Sequence, residues 1–322
     1  MLLFEYAYCT IIPCLSTISI LSNILLLYLF ELKCPKKLYS IKRLLELLCL
    51  LEIFNVFIVG ILIRPQPIVG IKGFLIHGPA KDWTEVMVKV TSTIVCITFI
   101  CTFFCIVYQF CVKYKHLCSF SCFKSLDFLS FMIAIITNIL TIIGIVIFMY
   151  KCLHEVKSNE IDEKEIINYV KYENISSLRI FEFDPSGTIN YHHSIYISIF
   201  LYFFYLITLI FISIGILNEL GKFNYIKTSL SLLKNGSAVQ TLFIEAFFSL
   251  SFLTICCIMM LLVEFWNDLH KNLWMSYLIN KLLIIGWLFY TLIIPFYLIK
   301  THFLDRYHIK LNVFRKWKRR SN

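Results

Sequence analysis

The feature that most constrains this chain is a series of long apolar runs. A helix that crosses a bilayer needs about 20 largely apolar residues, and the sequence holds seven segments of at least that length. They are residues 7–30, 44–63, 86–112, 128–150, 194–217, 238–263 and 277–300. The whole chain is 59% hydrophobic, whereas soluble domains are about 45–50% apolar. The pattern predicts an all-α integral membrane protein in which residues 1–300 form a bundle of seven transmembrane helices.

Basic residues indicate how this bundle is oriented, because they are retained on the cytoplasmic side of a membrane. The loops on one side, together with residues 300–322, hold 19 of the 30 Lys and Arg residues, and the loops on the other side hold 9. We therefore expect the N-terminus outside and a basic C-terminal tail, residues 301–322, in the cytoplasm. Next to a bilayer, such a tail attracts anionic membrane lipids by about 1 kcal/mol for each basic residue. Lipid is thus its expected partner, and nucleic acid is not.

The cysteines do not predict a disulfide framework. Most of the 13 cysteines fall in predicted spans or inner loops, so an extracellular pair is not evident. Cys118 and Cys122 lie in the inner loop after the third span. Cysteines beside a membrane undergo reversible palmitoylation, and unmodified thiols are an equally good interpretation of these two.

Two sequons test the predicted topology. Asn174 begins "NIS" in the long outer loop 151–193, and Asn235 begins "NGS" in an inner loop. N-glycosylation modifies exposed loops of the secretory pathway. We therefore predict a glycan on Asn174 and none on Asn235.

Several polar residues lie deep inside the predicted spans. Glu52 and Asn55 share one face of the second span, because they are three residues apart. At 1.5 Å per residue, Glu52 lies roughly 12 Å from the inner end of its span. Polar residues of three other spans lie roughly 10–13 Å from the same boundary: Asn23, Glu245 and Thr291. A charge at mid-helix costs at least about 2.5–3.5 kcal/mol, so we expect a buried polar layer that either holds the helices together or switches the bundle.

Two lysines lie close to the outer ends of their spans. Lys89 follows Glu85 by four residues, the spacing and order that favour an ion pair on a helix. Lys42 and Glu46 have the spacing of a second helical pair. For Lys89 and Lys281, the simplest expectation is that the ammonium group extends to the membrane interface.

The sequence offers no constellation for catalysis or for a cofactor. The eight histidines are scattered, and no spacing of a nucleophile and base, or of metal ligands, accompanies them. We therefore predict a protein that is not an enzyme and has no cofactor or metal. A transporter is also disfavoured, because seven spans do not divide into two equal inverted repeats.

Four stretches carry a resemblance to a known family. They are "CPKKLYSIKRLL" at 34–45, "IRPQPIVGIKGFLIHGP" at 63–79, "AVQTLFIEAFF" at 238–248 and "HFLDR" at 302–306. With the seven spans and the basic tail, these stretches resemble nematode serpentine chemoreceptors, in particular class H of the Str superfamily. The end of the third span, "YQFCVKYKH", departs from rhodopsin-type receptors because it has no acidic-Arg pair.

The resemblance implies a GPCR-like bundle acting as a chemosensory receptor in the plasma or ciliary membrane of sensory neurons. It implies two partners, an external small-molecule ligand and a heterotrimeric G protein, and the ligand would act by shifting the population of bundle arrangements. Candidate walls of the ligand pocket are Lys89, Tyr196, Tyr277 and Lys281. Two alternatives stay open, namely a seven-span ligand-gated channel of reversed topology and a diverged homologue that no longer signals.

Overall fold

The computed structural model describes residues 2–33, 38–68, 73–117, 153–156, 179–183 and 273–300, and parts of the segments 136–151, 200–214 and 243–247. Four long helices coincide with four of the predicted spans. They are α1 (Leu2–Lys33), α2 (Lys42–Val56), α3 (Glu85–Leu117) and α4 (Leu273–Leu298). Among the described residues, three helical stretches are long and apolar enough to cross a membrane: Tyr8–Leu32, Lys42–Ile63 and Glu85–Val112.

The remaining predicted spans are described only in part. Within 136–151, 200–214 and 243–247, the described residues are helical, as predicted for residues of spans. Most of these three spans and the tail 301–322 lie outside the described residues. The number of spans and the orientation in a membrane therefore stay predictions.

The second helix changes its form before it ends. α2 continues directly into a π-helix, Phe57–Ile63, in which the backbone N–H of Arg64 donates to the carbonyl of Val59, five residues back, at 2.9 Å. Arg64 then adopts a left-handed conformation, with φ 47° and ψ 64°. Only right-handed residues can continue a helix of this hand, so the helix stops there, next to the predicted boundary at residue 63.

The side chains of α1 are arranged inside out relative to a water-soluble helix. Ser16 and Ser19 are 0% exposed, whereas Leu21, Tyr28 and Leu32 are each 60% exposed. Helices of soluble proteins place apolar residues inward and polar residues outward. The outer surface of α1 is therefore chemically suited to hydrocarbon, and its inner face uses small hydroxyl residues that allow close helix packing.

α1 packs against two of the other described helices, α2 and α4. α2 also contacts α4 and packs in turn against α3. The core between these helices consists mainly of apolar residues, with Ile12, Leu26, Leu45, Ile106 and Leu288 at most 2% exposed. This packing fixes the position of α1 relative to its two neighbours, and the polar clusters and the cavity of the bundle depend on that position.

A small antiparallel sheet covers one end of the helices, which we call the sheet end. Its strands are β1 (Pro65–Ile68), β2 (Gly73–Ile76), β3 (Leu153–Val156) and β4 (Ile180–Phe183), in the order β1-β2-β4-β3. Phe74 pairs with Phe181 in the ladder, and their rings stack with centroids 6.0 Å apart. The expectation of an all-α protein is therefore corrected, because two loops predicted to lie outside supply each other with backbone hydrogen-bond partners.

The sheet is anchored to the helices by its own apolar cluster. Ile63 at the end of the π-helix, Val88 in α3 and Phe181 in β4 are members of this cluster and are at most 4% exposed. The backbone also approaches closely here, because a Cβ on Gly78 would lie 1.9 Å from the carbonyl oxygen of Leu62. The sheet therefore has a defined position on the ends of α2 and α3.

Candidate functional site

A first polar cluster joins α1 to α4 in the middle of the bundle. The Ser19 hydroxyl donates to the Thr291 hydroxyl at 2.9 Å, and the Asn23 Nδ2 donates to the Thr291 carbonyl at 3.3 Å. The three residues are at most 1% exposed. Hydrogen bonds between helices in a membrane contribute about 0.6–2 kcal/mol each. Asn23 and Thr291, which the sequence placed at a similar depth, are thus in contact, and Ser19 takes part in the same cluster.

A second polar contact joins α2 to α3. The Thr98 hydroxyl donates to the Oδ1 of Asn55 in a short hydrogen bond. Asn55 and Glu52 are each 3% exposed, so the face they share looks into the bundle, as their spacing predicted. Asn55 thereby connects the second and third helices in the way that Asn23 connects the first and fourth.

The packing of α1 on α2 sets the level of Glu52. A Cβ on Gly60 would lie 1.9 Å from the Ser16 Oγ, so these two residues are in register across the antiparallel helices. Glu52 lies eight residues before Gly60, roughly 12 Å along the helix at 1.5 Å per residue. The same distance along α1 from Ser16 reaches the position next to Asn23. Glu52 therefore lies at about the level of the α1–α4 polar cluster.

A cavity of about 210 Å³ lies at the sheet end of α1, and we call it the sheet-end cavity. It is lined by Tyr8, Cys9, Ile12, Arg64 and His77. Tyr8 is fixed in place because its hydroxyl donates to the carbonyl of Pro65 at 2.9 Å. The cavity thus joins the start of α1 to the turn that ends α2 and to the end of β2.

Lys281 of α4 lies beside this cavity. Its Nζ is 4.6 Å from the centroid of the Tyr8 ring, within the range of a cation–π interaction. Lys281 is 0% exposed, which differs from the expectation that its ammonium group would extend to the interface. The reason is that the Tyr8 ring of α1 packs against the ammonium group and covers it.

Lys89, the other predicted pocket lysine, does not line the sheet-end cavity. Its Nζ forms an ion pair with Glu85 at 2.8 Å, which confirms the pair predicted from their spacing, and lies 3.4 Å from the Nδ1 of His154 in β3. The Lys42–Glu46 pair is confirmed as well, at 3.2 Å.

Close to Lys89, an ion pair stabilises the sheet. The Arg179 guanidinium binds both carboxylate oxygens of Glu155, with Nε to Oε1 at 2.6 Å, and donates to the Lys81 carbonyl at 3.2 Å. The hydrogen bond with Glu155 raises the pKa of Arg179 above its ordinary value. This bidentate pair ties β3 to β4 and to the loop before α3.

Several predicted site residues cannot be placed. Glu245, Tyr196, Asn174, Cys118 and Cys122 lie outside the described residues. Tyr277 lies in α4, and its role as a wall residue stays a prediction. Within the described ranges, no group of three or more His, Cys, Asp or Glu residues is placed to hold a metal ion.

Sequence reasoning missed the residues that line the sheet-end cavity. The sequence places Arg64 and His77 in an outer loop and Tyr8 in an ordinary apolar run. One signal was present, since Tyr8, Ile12, Ser16 and Ser19 recur at three- and four-residue intervals along one helical face. The partner of that face could not be identified from the sequence.

The fold defines a class: a mainly helical chain, capped by a small sheet, whose long apolar helices have the length and composition of membrane spans. Comparison with protein-family models and with curated proteins finds no match for this chain.

Proposed function

We propose that this chain is a multi-pass membrane receptor that detects a small external molecule at the sheet-end cavity and signals through a heterotrimeric G protein. The observation that supports it most is that one face of α1 carries both the cavity and the buried polar cluster. G-protein coupling, a sensory membrane and the nematode chemoreceptor family come from the resemblance of the sequence to serpentine receptors.

The inside-out arrangement of α1 supports a location in a membrane. A stripe of leucine and tyrosine side chains exposed to water would lose the free energy of their burial, about 25 cal/mol for each Å². In hydrocarbon the same stripe costs nothing, and the serines are satisfied inside the bundle. The excess of basic residues in the predicted inner loops and tail supports the cytoplasmic placement of the C-terminus.

The α1 face offers a path for a signal. Tyr8 and Ile12 line the cavity, and Ser19 and Asn23 further along the same face contact Thr291 of α4. From Tyr8 to Ser19 the distance is roughly 16 Å at 1.5 Å per residue. A ligand that fits the cavity better in one position of α1 would favour that position, and the contacts with α4 would change with it.

The polar cluster is suited to two arrangements because its hydrogen bonds are incomplete. Within the described part of the chain, the buried Oδ1 of Asn23 accepts no hydrogen bond. A buried acceptor without a donor costs about 1–3 kcal/mol. A modest shift of α1 that gives this atom a donor would therefore change the free energy by about 1–3 kcal/mol, the size of a typical coupling between a ligand and a conformational change.

The test is expression of the full chain with a G-protein activation reporter and a panel of odorants. We expect a response that disappears when the G protein is removed and that changes in the Glu52→Gln variant. A ligand-evoked current that persists without any G protein would favour the channel of reversed topology. An antibody that reaches residues 301–322 on intact cells, or a glycan on Asn235, would contradict the proposed orientation.

A further inference from the structure

We propose that the sheet-end cavity binds the carboxylate of a small organic acid, with Arg64 as the principal anion-binding residue. This inference rests on the proposed function, because it names the ligand class of the same cavity. It is carried by the charge of Arg64, by the size of the cavity and by the backbone conformation of Arg64.

Arg64 supplies the permanent positive charge at the cavity. It lines the cavity together with the imidazole of His77. None of the described residues that line the cavity carries a carboxylate. The guanidinium of Arg64 attracts a carboxylate by a charge-assisted hydrogen bond and gives a neutral molecule no such gain, so the cavity favours a negatively charged occupant over a neutral one.

Arg64 is available for such an occupant. Its Nε donates to the carbonyl of Ile61 at 3.2 Å, which fixes the base of the guanidinium and leaves the two terminal nitrogens. Among the described residues, no carboxylate lies within 4.0 Å of Arg64, although four other basic residues form ion pairs: Lys42, Arg43, Lys89 and Arg179. A guanidinium binds a carboxylate through two parallel hydrogen bonds, which gives both strength and orientation.

The backbone conformation of Arg64 indicates that its side chain matters. Arg64 is the one described residue other than glycine with a positive φ, at 47°. At the residue after a helix, this left-handed conformation is usually taken by glycine, which adopts it without the penalty of a Cβ. A non-glycine residue held in a sparsely populated region is a sign of a functional site. Here the strained residue is also the cationic residue that faces the cavity.

The volume and the walls limit the size of the ligand. The cavity of about 210 Å³ is smaller than the roughly 300–1,000 Å³ of sites for drug-sized ligands. Ile12 and the ring of Tyr8 supply an apolar wall beside Arg64. The ligand that fits is therefore an acid with a short apolar body, of the size of butyrate or benzoate.

The test uses the purified full chain in detergent or in lipid nanodiscs, without any G protein. Binding of butyrate and benzoate is measured by titration and by the shift of the unfolding midpoint, beside the neutral butyramide and benzamide and sodium chloride. We expect saturable binding of at least one acid and little effect of the amides or chloride. Equal effects of the acid and its amide, competition by chloride alone, or no binding of either acid up to millimolar concentrations would overturn the proposal.

Two substitutions separate binding from folding. Arg64→Gln should weaken binding of the acid roughly 10- to 100-fold, the equivalent of a lost charge-assisted hydrogen bond. Arg64→Gly should lose binding to the same extent while unfolding at the same or a higher temperature, because glycine is free to adopt the left-handed conformation. Arg43→Gln is the matched control, since Arg43 lies at the opposite end of α2 and is 87% exposed. Unchanged affinity in both Arg64 variants would refute the assignment.

The outcomes also separate this inference from the receptor proposal. Acid binding to the purified chain, with no G-protein response in cells, would support the anion site and refute G-protein signalling. A G-protein response to neutral odorants only, with no acid binding, would support the receptor and refute the anion site.

Discussion

Replacing Gly60 by alanine tests the packing of α1 against α2, on which the position of Glu52 and of the cavity depends. The added Cβ would lie 1.9 Å from the Oγ and 2.8 Å from the Cβ of Ser16. The hydroxyl can rotate away, but the Ser16 Cβ is fixed to the backbone. Carbon atoms pack best at about 3.5–4.0 Å, so α1 and α2 must separate by roughly 0.7 Å or more.

The expected free-energy change has two parts of opposite sign. Overpacking a close interface costs about 1–3 kcal/mol, whereas glycine to alanine inside a helix gains about 0.5–1 kcal/mol. Gly144 offers a control, because it is also helical and no atom of the described residues lies within 4 Å of a Cβ built there. Gly144→Ala should therefore show the gain alone, and Gly60→Ala should be less stable than this control by about 1–3 kcal/mol.

The assay is equilibrium unfolding of each variant in mixed detergent micelles, followed by helix content. A double-mutant cycle with Ser16→Gly isolates the contact, because removing the Ser16 side chain gives the new methyl group room. We expect Ser16→Gly to recover most of the steric loss of Gly60→Ala. Equal stability changes at Gly60 and Gly144, or purely additive effects of Gly60→Ala and Ser16→Gly, would refute the close packing of these helices.

Two further predictions concern the polar contacts. Thr98→Val leaves the buried Asn55 Oδ1 without its donor and should lower the free energy of unfolding by about 1–3 kcal/mol. Thr93→Val removes only a hydrogen bond within its own helix and should lower the free energy of unfolding clearly less in the same assay. Equal losses of stability in the two variants would contradict the hydrogen bond between α2 and α3. Arg179→Gln should destabilise the sheet and speed backbone hydrogen exchange at 153–156 and 180–183. Lys81→Gln should leave the exchange unchanged, because Arg179 binds the backbone carbonyl of Lys81 and not its side chain. If backbone hydrogen exchange of the strands is unchanged in the Arg179→Gln variant, the ion pair does not stabilise the sheet.

The helices could be predicted from the sequence because their cause is local. A run of about 20 apolar residues is sufficient to define a helix in hydrocarbon, and the positions of α1, α2, α3 and α4 follow from four such runs. The inward face of α2 was predictable for the same reason, since Glu52 and Asn55 are expensive to expose to lipid. The ion pairs of Lys89 and Lys42 needed only the spacing of their partners along one helix.

The sheet could not be predicted, because its cause is not local. Each strand has only four residues, and β2 pairs with β4 across more than 100 positions of the chain. The strand Pro65–Ile68 contains two prolines, which argue against a strand except at the edge of a sheet, and β1 is an edge strand.

The candidate site was predictable only in part. Asn23 and Thr291 were assigned a similar depth from the inner boundary, and the structure brings them together. The sheet-end cavity needed the approach of α1, the end of α2 and β2, three segments whose proximity no single stretch of sequence encodes. Lys281 shows the same limit, since its burial depends on Tyr8, which is more than 270 residues earlier in the chain.

The π-helix at the end of α2 changes what a one-residue deletion would do. Its hydrogen bonds span five residues and not four, so each of its turns holds more residues than a turn of α-helix. Deleting one residue from Phe57–Ile63 would restore α-helical bonding and leave Arg64 on nearly the same side of the helix. The same deletion between Lys42 and Val56, where the bonding is already α-helical, would turn the preceding part of α2 relative to Arg64 by roughly 100°. A one-residue deletion should therefore be better tolerated in the π-helix than in the rest of α2.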